Sequence, residues 1–314
     1  DELGILTEDD TYLDKHIQEV LNLPLVDVSA IAQANFKIVV DAVNSTGGIF
    51  VPALLRDLGV KEVVELYCDP TGHFPHNPEP LPEHLTDLAD KIKETNADLG
   101  ITVDPDVDRL AMVCEDGTMF GEEYTLVACA DYVLQHTPGT TVSNLSSTRA
   151  LRDVTERIGE KYFAAAVGEV NVVEKMKAEN AIIGGEGNGG IIYPESHYGR
   201  DALVGIALFL THLAKSKLKV SELRDSYPKY TISKNKIELT PEIDVDAVLA
   251  KMALKYAHEE VDTTDGVKIY IAQEWVHLRK SNTEPIIRIY SESSSEAAAN
   301  ALAERIITEI RELI

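Results

Sequence analysis

Residues 97–121 read ADLGITVDPDVDRLAMVCEDGTMFG, in which two mostly apolar runs flank the hexapeptide DPDVDR. Apolar runs of this length bounded by turn residues predict buried strands. The loop between them sets Asp104, Asp106 and Asp108 at alternate positions, with Arg109 next. A solvated acidic turn would account for the aspartates alone. A calcium EF-hand would use the aspartates and Glu115, but Arg109 stands where that loop needs glycine, and strands stand where it needs helices. Three carboxylates on one tight loop instead offer Mg²⁺ a half-shell of hard oxygen ligands, with open positions for water or phosphate. A guanidinium at Arg109 suits the holding of a phosphoryl group beside such an ion.

Outward from this stretch the pattern is strand alternating with helix. FKIVVDAV (36–43) reads as a buried strand, followed by the loop NSTGG, the helix IFVPALLRDLG and the strand VKEVVELYC. A Pro- and Gly-rich loop and the helix LTDLADKIKETN lead into residue 97, and the helix EEYTLVACADYVLQH follows residue 121. A second run repeats the alternation: strand TTVSNLS, two helices, the glycine loop GGEGNGG (184–190) between apolar strands, and a long apolar helix after GRD (199–201). Asp201 there is simplest as a negative charge at a helix N-terminus. The last part differs, with strands KYTISKNKIELT, VKIYIAQEWVHLRKS and EPIIRIYSES, and a terminal helix capped by Ser294 or Ser295. The expected fold is therefore α/β, two consecutive α/β domains with mixed sheets followed by a small α+β domain. The expected boundaries are a lead-in helical segment over 1–31 (Ile5, Tyr12, Leu13, Ile17, Val20 and Leu21 in helical register), then 32–137, 138–226 and 227–314.

The chain has 314 residues, enough for roughly two to four domains. An apolar fraction of 44% and a charged fraction of 26% are those of a globular protein. No apolar run approaches a membrane span. A formal charge of −24 argues against nucleic acid as a partner, because a phosphate backbone would be repelled. It leaves small phosphorylated molecules open, since these need only a local cluster of cations. Cys68, Cys114 and Cys129 show no CxxC spacing and read as buried thiols of a reducing compartment, with the cytoplasm as the expected location.

Two further stretches carry chemistry. GGEGNGG is either a plain hairpin or a backbone that lets Glu186 and Asn188 approach a ligand closely, a carboxylate and a carboxamide suited to vicinal sugar hydroxyls. RKSNTEPIIR (279–288) is either a polar hairpin turn or a phosphate cradle. Arg279, Ser281, Asn282, Thr283 and Arg288 supply two cations, two hydroxyls, an amide and backbone N–H groups. His73 and His76, in a loop, could move protons but more often such histidines are structural.

Taken together and in this order, the three loops resemble those of the α-D-phosphohexomutase superfamily, which includes phosphoglucomutase, phosphomannomutase and phosphoglucosamine mutase. Its metal loop DxDxDR is matched by Asp104, Asp106, Asp108 and Arg109. Its sugar loop GExSG is matched by Gly185, Glu186 and Gly189, with Asn188 in place of Ser. Its phosphate loop RxSxTEP is matched by Arg279, Ser281, Thr283, Glu284 and Pro285. STR (147–149), VGEVNVVEKM (167–176) and FPHNPEP (74–80) are weaker matches, so the resemblance covers nearly the whole chain.

The resemblance implies an enzyme that moves a phosphoryl group between C6 and C1 of a hexose phosphate, through a phosphoserine and a hexose 1,6-bisphosphate. It implies Mg²⁺ on the three aspartates, Arg109 at the reacting phosphoryl group, and a cleft lined by Arg149, Gly168, Glu169 and Asn171. It assigns metal binding to 32–137, sugar binding to 138–226 and phosphate binding to 227–314. The family's phosphoserine loop, of the form TASHNP, has no counterpart in the 314 residues. The expectation is thus a chain resembling domains two to four, whose lead-in segment belongs with a missing first domain and which is inactive alone. The GGEGNGG variant places phosphoglucosamine mutase first. The alternatives are phosphoglucomutase/phosphomannomutase, or a non-catalytic relative that binds sugar phosphates. A monomer or homodimer is expected.

Overall fold

A computed structural model describes residues 4–240, 243–281 and 286–313. The chain divides into two units, one built from residues up to 138 with 188–224, the other from 139–187 with 225 onward. The first unit begins with α1 (Tyr12–Leu21), α2 (Val28–Ala34), β1 (Lys37–Asp41), α3 (Gly47–Asp57), β2 (Glu62–Leu66), α4 (Thr86–Thr95), β3 (Leu99–Val103), β4 (Leu110–Cys114) and α5 (Glu122–His136). The chain then enters the second unit with β5 (Thr141–Asn144), α6 (Ala150–Arg157), β6 (Tyr162–Ala165), α7 (Glu169–Glu179) and β7 (Ile183–Glu186). It returns to the first with β8 (Gly190–Ile192), α8 (Ala202–Ser216) and α9 (Val220–Asp225). The second unit closes with β9 (Thr231–Glu238), α10 (Val245–Lys255), β10 (Glu260–Asp262), β11 (Val267–Ile271), β12 (Glu274–Lys280), β13 (Ile286–Ser293) and α11 (Glu296–Arg311).

In the first unit the sheet order is β2-β1-β3-β4, parallel except for β4, which runs back along β3. The loop 104–109 is too short for a parallel crossover, which needs about a dozen residues, so the strands it joins are antiparallel. Every residue of β3 and β4 is buried, as the two apolar runs predict. The long apolar helix is α8, buried continuously from Ala202 to Leu213 and packed by α1, α2, α3, α5, β4 and β8. A helix that is apolar all round needs such neighbours on every side. Asp201 caps it, accepting from Leu203 N at 2.8 Å and Val204 N at 3.2 Å.

The lead-in segment holds two helices rather than one. Pro24 follows α1, and Asp27 caps α2 through Ala30 N at 2.9 Å. Ile17 and Val20 are buried, against α3 and α8 of the same unit, whereas Ile5, Leu6 and Tyr12 are exposed. The register therefore marks the inner face of α1 only for its middle and end.

In the second unit, β5 pairs in parallel with β6 and with β7. The remaining strands form an antiparallel sheet, β10-β11-β12-β13-β9. Here α11, capped by Ser295 through Ala298 N at 3.3 Å, lays Leu302, Ile306 and Ile310 on a core with Ile237, Ile287 and Ile289. The stretch expected as one strand, VKIYIAQEWVHLRKS, is the hairpin β11–β12, with Ile271 opposite Glu274. Its turn puts Ala272 at φ +54, a conformation for which Ala gives no sequence signal. All three cysteines are free, and burial pushes each thiol up to about 12, so none is a nucleophile at neutral pH. No helix of the described residues is long and apolar enough to cross a membrane.

One glycine carries a specific constraint. Gly189 sits at φ +90, its carbonyl accepts from Leu110 N at 3.0 Å, and a Cβ there would overlap the Leu110 backbone. Gly189→Ala should lower the stability of the first unit by at least about 2 kcal/mol. Gly72→Ala, at φ +74 in open space, should cost about 1 kcal/mol or less. Urea unfolding followed by far-UV circular dichroism measures both.

Candidate active site

The aspartate loop begins where β3 ends, and neighbouring segments pin it. Pro105 O accepts from Ser45 Oγ at 2.6 Å and Thr46 Oγ1 at 2.7 Å, and Val107 O accepts from Ala202 N at 3.1 Å. The turn closes on itself through Val107 N to Asp104 O at 3.1 Å, with Val107 held at φ +61. A β-branched residue there is strained, which the surrounding bonds must over-determine. Asp104 Oδ1 accepts from the backbone N–H groups of Asp108 (3.1 Å) and Arg109 (3.0 Å).

This folding brings one oxygen from each of Asp104, Asp106 and Asp108 within 4.8 Å of the others. Asp104 is buried, Asp108 half-buried and Asp106 exposed. Desolvation, then the carboxylates of Asp108 and Asp106, push Asp104 up to about 7. Arg109 Nε lies 3.5 Å from Asp104 Oδ2 and 3.8 Å from Asp108 Oδ1, and its Nη1 lies 3.6 Å from Glu79. Arg200 pairs with Asp108 Oδ2. Asp108 Oδ1 and Arg109 Nε are buried without a hydrogen-bond partner among the described residues. Crowded carboxylates with an unsatisfied oxygen fit a hard divalent cation. His76, by contrast, is engaged elsewhere. Its Nε2 lies 2.9 Å from buried Asp41, and that bond raises its pKa from the ordinary histidine value.

The glycine loop divides between the units. In the first, Asn188 Oδ1 accepts from Gly190 N at 3.1 Å. In the second, buried Glu186 Oε1 accepts from Asn144 Nδ2 at 2.8 Å and from Gly168 N at 3.2 Å. Gly187 N donates to Ser147 Oγ at 2.9 Å. Beside Gly168, Glu169 opens α7 and is half-buried, while Asn171 is exposed and donates to Val167 O at 2.9 Å. Arg149 is committed locally. Its guanidinium meets Asp153 Oδ1 at 3.1 Å and Ala272 O at 3.2 Å, and its N–H donates to Glu292 Oε1 at 2.9 Å.

Asp265 joins these groups to the strand that carries Arg279. Its Oδ2 accepts from Val167 N at 3.0 Å and lies 2.8 Å from Arg279 Nε. Arg279 stands directly opposite Arg288 on β13, and Arg288 opposite Lys236 on β9. Opposed residues of antiparallel strands share a face, so three cations lie abreast there. Like charges in that register repel, and an anion between them relieves the repulsion. Ser281 is buried, with its N–H on Ile286 O at 3.1 Å. Asn282, Thr283, Glu284 and Pro285 lie outside the described residues.

Sequence reasoning did not find Ser45, Thr46, Arg200, Asn144, Asp265 or Lys236. NSTGG and GRD were visible as loop and cap, but nothing in their spacing points to the aspartate loop. Asp265 and Lys236 become relevant only through strand register.

Residues 11–117 match phosphoglucomutase/phosphomannomutase α/β/α domain II, residues 121–230 match α/β/α domain III, and residues 235–309 match the C-terminal domain. A probable phosphoglucosamine mutase of Methanopyrus kandleri is 32% identical over all of this chain and 69% of its own length. A phosphoglucomutase/phosphomannomutase of Thermococcus kodakarensis is 38% identical, over 96% of this chain and 66% of its own. The solved structure of a phosphoglucomutase/phosphomannomutase family protein from Burkholderia thailandensis superposes with a TM-score of 0.81 at 29% identity, covering 96% of this chain and 63% of that one. The chain belongs to the phosphoglucomutase/phosphomannomutase family and spans about two thirds of the length of these relatives.

His277 reports on the second unit. It is buried, its Nε2 lies 2.6 Å from Asp265 O and its Nδ1 3.0 Å from Ser146 Oγ. Nε2 therefore carries the proton, and Nδ1 accepts from the hydroxyl. Burial pushes its pKa down to about 4. Below the unfolded value of about 6.5 only the unfolded chain takes up the proton, so stability present above that pH is lost as pH falls toward 4. The loss should reach about 3 kcal/mol. Urea midpoints at pH 7 and pH 4.5, read by the fluorescence of the single tryptophan, Trp275, should fall further for the native chain than for His277→Gln.

Proposed function

We propose that this chain forms the metal-, sugar- and phosphate-holding part of a phosphohexomutase that moves a phosphoryl group between C6 and C1 of a hexose phosphate. The aspartate loop carries this reading: three crowded carboxylates with Arg109 beside them, in a chain of this family. Asp104, Asp106 and Asp108 would hold Mg²⁺, which when bound neutralises charge developing on a transferring phosphoryl group. Arg109 steadies that group. Glu186 and Asn188 read the sugar hydroxyls. Arg279, Ser281, Asn282, Thr283 and Arg288, joined by Lys236, grip the phosphate that is not reacting, in the hexose phosphate and in its 1,6-bisphosphate. Arg149, Gly168, Glu169 and Asn171 line the cleft around the sugar.

Glucosamine phosphate is the first choice of substrate, supported by the GGEGNGG loop and by the Methanopyrus kandleri relative. Glucose or mannose phosphate is the second, favoured by the higher identity of the Thermococcus kodakarensis relative. The intact aspartate loop disfavours a non-catalytic binder, which needs no metal. The reading places the protein in the cytoplasm as a monomer or homodimer. The phosphoserine comes from a TASHNP-like loop that these 314 residues lack, so the chain alone binds without turning over.

Calorimetry should therefore show Mg²⁺ binding that is lost in the double variant Asp104→Asn/Asp108→Asn. Binding of glucosamine 6-phosphate should weaken at least tenfold, about 1.4 kcal/mol, in Arg279→Ala/Arg288→Ala, with Mg²⁺ affinity unchanged. Sugar-phosphate binding indifferent to the two arginines would remove the phosphate assignment. Turnover by the native chain, read by phosphorus NMR, would remove the claim of inactivity.

A further inference from the structure

A second cluster of metal-ligating groups lies in the first unit, outside the aspartate loop. His16 Nε2 lies 2.7 Å from Asp201 Oδ2, and His197 Nε2 lies 2.9 Å from the same oxygen. The three ligand atoms all fall within 4.8 Å of one another. The carboxylate is fixed from behind, because its Oδ1 takes the N–H groups of Leu203 and Val204, which leaves Oδ2 facing the two imidazoles. As an N-cap Asp201 needs only those backbone bonds, so the convergence of two imidazoles on its other oxygen is not explained by capping.

We propose that His16, His197 and Asp201 form a second metal site, taking a borderline divalent ion such as Zn²⁺ or Co²⁺. Two imidazole nitrogens and one carboxylate oxygen suit such ions, whereas the all-oxygen aspartate loop suits Mg²⁺. Ligand arms of about 2.0–2.2 Å place neighbouring tetrahedral ligands roughly 3.3 Å apart, so each His–Asp separation widens by about half an ångström as the ion takes the place of the two bridging protons, which leave the two Nε2 atoms. The other ring nitrogen of His16 lies 3.8 Å from Glu19 Oε2, one turn along α1, an ion-pair distance that leaves it without a hydrogen bond there. The His197 side chain is 45% exposed, and His16 and Asp201 line a cavity of about 290 Å³ with Thr46, Asp106 and Arg200, so an ion and a fourth, water ligand have access. The site ties α1 to the start of α8, positions 185 residues apart in sequence. An ion that binds only the folded chain therefore stabilises the first unit. None of this rests on the proposed mutase reading.

The test uses the metal-stripped 314-residue chain with Co²⁺ in the presence of excess Mg²⁺, which holds the aspartate loop. The expected result is one equivalent of Co²⁺ with the intense visible absorption of a tetrahedral nitrogen-containing site, and a Tm that rises with Zn²⁺. His16→Gln and His197→Gln should each weaken Co²⁺ at least tenfold, and the triple variant Asp104→Asn/Asp106→Asn/Asp108→Asn should leave it unchanged. Co²⁺ binding that survives both histidine substitutions, or that vanishes only with the aspartate loop, overturns the proposal. Histidine NMR of the native chain needs no variant. Zn²⁺ should shift the ring signals of His16 and His197, and their failure to move refutes the site.

Discussion

Mutual repulsion among three carboxylates on one short loop is the constraint around which the first unit is arranged. Left to solvent, Asp104, Asp106 and Asp108 would spread apart. Instead Asp104 is buried at the end of β3, and its Oδ1 is tied to two backbone N–H groups of its own loop. Ser45 and Thr46 hold the loop from one side and the first residue of α8 from another. Even the strained φ of Val107 is tolerated because these bonds leave the turn no alternative. The electrostatic cost is visible in the carboxyl of Asp104, pushed up to about 7, and in the unsatisfied oxygen of Asp108. A divalent cation removes both costs at once.

The second unit solves the reverse problem, the gathering of positive charge. Arg279, Arg288 and Lys236 are brought abreast by strand register rather than by sequence proximity. One carboxylate, Asp265, steadies Arg279 and also ties down the backbone next to Gly168, whose N–H bonds Glu186. Glu186, the backbone at 167–168, Asp265 and Arg279 are thus linked in series by hydrogen bonds and one ion pair. His277 lies beneath it, kept neutral by burial, and its two bonds lock the segment from which Asp265 projects.

Much of this was legible in the residues. The runs around DPDVDR are the buried strands β3 and β4, the segment after GRD is a buried helix capped by Asp201, and Ser295 caps the last helix. These features depend on local periodicity and on one side chain meeting nearby backbone, which a linear pattern records. The hairpin inside VKIYIAQEWVHLRKS was not legible, because its turn lacks Gly and Asn. Neither was the short strand β10, too brief to show a period.

The site divides along the same line. Sequence alone marked out the candidate side chains: the aspartates with Arg109, Glu186 with Asn188, and Arg279 with Arg288. It did so because each group sits within a few residues, where spacing is geometry. Only the tertiary structure decided what holds them. Arg200 reaches Asp108, Asn144 reaches Glu186, and Lys236 joins the arginines through contacts between distant segments. It also committed Arg149 to Asp153 and brought His16 to Asp201. Such contacts are set by which strands pair and which helices pack, and those choices depend on burial summed over a whole unit.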